Sequence, residues 1–62
     1  MFYTLTDLRV YAKQKRDLHP YLTGEINGIL ELASDEVRAG EDESHEVELA
    51  IDAINDLLSS VP

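Results

Sequence analysis

Two apolar stripes constrain this chain more than any other feature. Leu22, Ile26, Ile29, Leu30, Ala33 and Val37 recur at helical spacing, and Val47, Ala50, Ile51, Ile54, Leu57, Leu58 and Val61 do so again after Gly40. Residues three and four apart share one face of a helix, so each stretch reads as an amphipathic helix with one side that needs cover. No stretch alternates with the period of two that a half-buried strand requires. Gly40 suits the position just past a helix C-terminus, where a left-handed backbone is needed. Asp42 or Ser44 can then cap the next helix. So short a connection predicts an antiparallel helical hairpin.

The segment before the hairpin predicts a short helix of its own. Thr4 and Asp7 have capping-box spacing, with Tyr3 and Leu8 placed as a hydrophobic staple. Thr6 is an alternative cap, with Leu5 and Val10 as its staple. Leu8, Tyr11, Ala12 and Lys15 continue at helical spacing, and Arg9, Lys13 and Arg16 share another face. Pro20 biases His19 away from the helical region and ends this helix. The next helix therefore begins near Pro20, or at Thr23 as a later cap. Gly24 and Gly28 cost helix stability, and their spacing permits close approach by a neighbouring backbone.

Length limits what these elements can do. Sixty-two residues make one domain, 1–62. A chain this small is marginal alone and usually needs disulfides, a metal or a partner chain. It contains no cysteine. The predicted fold class is all-α: an antiparallel helical hairpin with a short N-terminal helix, suited to assembly as a helical bundle. A homo-oligomer is expected, because Leu32 and Leu49 fall off the main stripes and Phe2 and Tyr3 have no obvious internal home. No apolar run is long enough to span a bilayer or serve as a signal segment, so the expected location is the cytoplasm, with no membrane partner.

Charge is unevenly placed. Residues 1–16 carry Arg9, Lys13, Lys15 and Arg16 against Asp7, a net of +3; residues 17–62 carry twelve acids against Arg38, a net of −11, giving −8 for the chain. Such a surface repels phosphates and argues against direct nucleic-acid binding. Apolar content of 44% is nonetheless ordinary for a folded protein.

The acidic stretch "RAGEDESHEVE", residues 38–48, is the most conspicuous local cluster. Laid on a calcium loop, Asp35, Gly40, Glu43 and Glu46 occupy suitable positions, but Val37 and Ala39 fall where side-chain oxygens are required. His45 with Glu41 makes too small a donor set for a transition metal, and His19 is not spaced to join it. The expectation is a charged turn with no metal and no cofactor. No phosphate-binding loop and no nucleophile–base constellation is present, so no enzyme is expected.

Interface anchors are typically aromatic or arginine side chains, and here they concentrate near the start: Phe2, Tyr3, Arg9, Tyr11, Arg16 and Tyr21. These are the candidate partner-binding residues. Glu41, Asp42 and Glu43 form a candidate acidic rim that assists by charge.

The layout as a whole, from "MFYTLTDLRVYAKQKRDLHPYL" through "GEINGILELASDEVRAGEDESHEVELAIDAINDLL", resembles the small acidic helical proteins of lambda-like temperate phages. These are encoded in the early region between the recombination exonuclease and the excisionase. The resemblance is one of length, charge and helical order, and it carries over no functional residue. It implies a non-enzymatic regulator made early in infection, in the host cytoplasm, that binds a host or phage protein and affects host growth or phage development. An acidic decoy that mimics nucleic acid and blocks a DNA-binding protein is the alternative, and a self-assembling helical subunit a third.

Overall fold

The computed structural model describes residues 3–60. Helix α1 spans Leu5–Leu18, a 3₁₀ turn spans Pro20–Leu22, α2 spans Thr23–Arg38 and α3 spans Glu43–Ser59. The fold is all-α. Phe2 and Val61, which the sequence places at an interface and on the second stripe, lie outside the described residues.

Local chemistry sets each boundary. At the start of α1, the Thr4 hydroxyl accepts from the Asp7 N–H at 3.2 Å, and the Asp7 carboxylate accepts from the Thr4 N–H at 3.1 Å. This is a complete capping box, and Thr6 lies inside the helix rather than at its cap. Tyr3 packs against the core, an internal home that is not obvious from its position in the sequence. At the other end His19 leaves the helical region, at φ −132°, ψ 68°, as the residue before a proline is disfavoured there. Pro20 opens the 3₁₀ turn, which runs straight into α2. Thr23 is not a side-chain cap for α2; its hydroxyl donates back to the Pro20 carbonyl at 2.7 Å.

The hairpin turn is built from main-chain bonds. Gly40 has φ +106°, and it is the one described residue with positive φ. The Glu41 N–H donates to the Glu36 carbonyl at 3.0 Å and the Gly40 N–H to the Val37 carbonyl at 3.1 Å. That pair of bonds is the Schellman closure of a helix, and it satisfies carbonyls that would otherwise lack partners. Two residues later the Asp42 carboxylate accepts from the His45 N–H at 2.9 Å and caps α3. Ser44 lies within the helix. The four-residue connection folds α3 back along α2, and the two helices pack on each other.

Helix α1, at 14 residues against 16 and 17 for the others, packs on both α2 and α3. Leu8 and Ala12 from α1, Leu22 from the turn, Ile26 and Ala33 from α2, and Val47, Ala50 and Ile54 from α3 are buried. No polar or charged residue is buried among the described residues. The radius of gyration is 11.1 Å, close to the ~11 Å expected for a compact chain of this length. One face of the hairpin is thus covered by α1. No helix among the described residues is long and apolar enough to cross a membrane.

Candidate interaction surfaces

The acidic turn does structural work on three helix ends. Asp42 caps α3, and Arg38 pairs with Asp35 at 2.8 Å across one turn of α2. The Glu43 carboxylate reaches across the fold and accepts from the Leu5 N–H at 2.7 Å. Leu5 is the first residue of α1, so its N–H has no partner within the helix. A carboxylate there also meets the positive end of the α1 dipole. Of the three candidate rim residues, Asp42 and Glu43 are therefore engaged within the chain, and Glu41 is left exposed. His45 is exposed, and among the described residues no three His, Asp or Glu side chains converge.

The N-terminal candidates are spread rather than gathered. Tyr3 sits beside Glu48, Ile51 and Asp52 of α3 around a hollow of about 180 Å³. The Tyr11 hydroxyl donates to Asn55 of α3. Burial pushes the Tyr11 hydroxyl pKa up, the Asn55 bond pulls it down and the Asp52 carboxylate raises it, with a net rise from the ordinary 10.0. Lys15 lies over the Tyr11 ring at 5.2 Å from its centre. Arg16 donates to Asn27 of α2 at 2.5 Å, and Lys13 pairs with Asp17 at 3.1 Å. Arg9 is exposed on α1. Tyr21 is exposed in the 3₁₀ turn, edge-on to His19. Tyr3 and Tyr21 thus flank opposite ends of a helix about 20 Å long, so the five described candidates do not form one patch.

A different surface is gathered. On the hairpin, a groove of about 320 Å³ opens between α2 and α3. The buried Ala33 and Ala50 form its floor. Leu32 and Leu49 rise on its two sides, 63% and 50% exposed. Ile29 and Ala53 extend it, and Glu36 and Glu46 mark its end nearest the turn. Only helices α2 and α3 contribute to it.

The sequence carried a signal for this groove. Its α2 members are 29, 32, 33 and 36, and its α3 members are 46, 49, 50 and 53. Both sets follow i, i+3, i+4, i+7 spacing. Each helix therefore has a second apolar edge beside its main stripe. Leu32 and Leu49 stood out as off the stripes, yet only the packing of α2 on α3 shows that they flank one groove.

The two small alanines decide the shape. Large residues at 33 and 50 would fill the groove from below, whereas alanine lets the helices meet while leaving a channel above them. Outside the groove, the hairpin is acidic. Its single cation, Arg38, is held by Asp35. The site can thus offer apolar contact along its length and carboxylates at one end. Its lining has no nucleophile and no titratable group besides Glu36 and Glu46. No protein family, curated protein or solved structure matches this chain.

Proposed function

We propose that the chain is a non-enzymatic protein-interaction module: a small regulator of the temperate-phage type that binds a host or phage protein in the bacterial cytoplasm and affects host growth or phage development. The observation that carries the interaction reading is the open groove with Leu32 and Leu49 exposed on either side. Burying a leucine side chain is worth about 1.5–3 kcal/mol, so two leucines left in water on one face are a reservoir of binding energy. The phage-regulator part of the reading rests on the length, charge and helical order of the chain.

The groove also favours a second reading, a self-assembling helical subunit, since another copy could cover the same leucines. The decoy reading draws instead on the net −11 of residues 17–62. Affinity capture from bacterial lysate, with wild-type bait and with Leu32→Ser/Leu49→Ser bait, separates the three. A prey retained in high salt by wild type and lost by the double variant supports the module. A basic DNA-binding prey that high salt releases from both baits favours the decoy. No prey, with a dimeric bait, favours self-assembly.

A further inference from the structure

We infer that the groove between α2 and α3 receives a cationic amphipathic helix from the partner protein, with leucine-type anchors between Leu32 and Leu49 and lysine or arginine at the end over the hairpin turn. This rests on the interaction-module reading and specifies its partner. Three observations converge on it. The groove is a linear channel between two helices, with small residues beneath and a leucine on each side. That shape matches an amphipathic helix laid into a groove and read at i, i+3, i+4 and i+7. Its charged members are both carboxylates, Glu36 and Glu46, and both stand at the turn end. Exposed Glu41 lies just beyond them in the turn.

Charge then chooses the occupant. The one cation of the hairpin, Arg38, is already paired with Asp35, so the chain supplies no counter-charge to the groove from α2 or α3. A second copy seated groove to groove would bring another Glu36 and Glu46 to the same interface, on a chain of net −8. With the two turns at the same end, those carboxylates would face one another and like charges would repel; with the turns at opposite ends, they would meet the apolar Ile29–Ala53 end and no counter-charge from α2 or α3. A cationic helix gains from the same carboxylates: they steer its approach and set its direction in the groove. Acidic peptides and nucleic acid are repelled by the same surface.

The test uses the full chain and two synthetic helices about as long as α2. One has leucines at i, i+3, i+4 and i+7 with lysines elsewhere; the other has glutamates in place of the lysines. Fluorescence anisotropy measures their binding, circular dichroism checks the fold of each variant, and sedimentation velocity reports the state of the free chain. The lysine helix should bind and the glutamate helix should not. Leu32→Ser/Leu49→Ser should weaken the lysine helix about tenfold or more, because central apolar anchors carry most of an interface. Glu36→Gln/Glu46→Gln should weaken it about threefold and flatten its salt dependence.

Equal binding of both helices would overturn the charge assignment while leaving the module intact. Undiminished binding to the folded serine variant would overturn the groove assignment, since the cations would then be held elsewhere on the acidic surface. A wild-type dimer that the serine variant converts to monomer would make a second copy the occupant and overturn the proposal. The module reading fails separately, if lysate capture retains no protein that depends on Leu32 and Leu49.

Discussion

The two faces of the α2–α3 hairpin differ in one respect: α1 lies on one, and none of the described residues lies over the groove on the other. On the covered face Ile26, Val47 and Ile54 have no exposure at all. On the open face Leu32 and Leu49 are more than half and half exposed. Both faces are apolar, and both follow helical spacing. Hydrophobicity alone therefore does not tell a core from an interface; the distinction comes from how many helices are available to cover the stripes. Three helices close one seam of this hairpin and leave the second.

Truncating one residue on each face should give the largest contrast. Ile54→Ala should cost about 2–5 kcal/mol in urea unfolding, because it leaves a cavity among Leu8, Ile26 and Val47. For a chain of this size that loss could unfold it. Leu49→Ala should cost about 1 kcal/mol or less, because half of that side chain is already in water. A large loss at Leu49, measured at a concentration where the chain is monomeric, would show that the open face is not open.

The turn joining the faces gives the next largest effects. Gly40→Ala forces a side chain into a backbone at φ +106°, where the left-handed region costs an ordinary residue about 1–2 kcal/mol. Asp42→Ala removes the α3 cap and should cost about 1 kcal/mol. Both should lower stability without altering binding in the groove, which neither residue lines. If Asp42→Ala impaired binding as strongly as a groove variant while the fold persisted, the acidic turn would be a direct contact surface. In the same experiment Glu43→Ala should destabilise through loss of its bond to the Leu5 N–H.

Those residues also mark what the sequence could and could not reveal. Thr4 with Asp7, Gly40 and Asp42 act within four residues of themselves, so their roles follow from spacing. The main stripes follow from helical period. By contrast, Glu43 meets Leu5 across 38 positions, Tyr11 meets Asn55 across 44 and Arg16 meets Asn27 across 11. Each of these bonds depends on how one helix is rotated and staggered against another, which no local pattern states. For that reason residue type, which marks Tyr11 and Arg16 as partner anchors, does not show that both also bond α1 to its neighbours. Leu32 and Leu49 were identifiable singly as misfits, but their juxtaposition required the register of α2 on α3.

Tyr11 offers a smaller test, confined to the covered face. Its raised pKa means that the folded chain holds the phenol proton more tightly than the unfolded chain does. The associated stability is full below the ordinary value of 10.0, and it is lost as pH rises from there through the folded-state pKa. Tyr11→Phe should remove that alkaline component, and loss of the Asn55 bond should cost about 0.5–1.5 kcal/mol at neutral pH. Unfolding curves with the same decline above pH ~10 in both proteins would place the titrating group elsewhere.

The smallest expected effect is a gain, and it bears on the open face. Gly24, Gly28 and Leu32 fall at i, i+4 and i+8, one row along α2. Both glycines are exposed, neither has positive φ, and an added methyl group at either would meet nothing within 4 Å. The close backbone approach that their spacing permits is not made among the described residues. Glycine in a helix interior is less favourable than alanine by about 1 kcal/mol, partly through the freedom of the unfolded chain. Gly28→Ala should therefore raise stability by about 0.4–1 kcal/mol, a few degrees in melting temperature. Gly24→Ala should gain less, because it lies in the first turn of α2, where the helix is least formed. The informative measurement is the pair of stability and binding of the lysine helix for each variant. A gain in stability with unchanged binding means that the glycines serve neither face. A gain in stability with weakened binding means that the partner's backbone comes close along this row, so that its helix leans toward α2 rather than lying midway between Leu32 and Leu49.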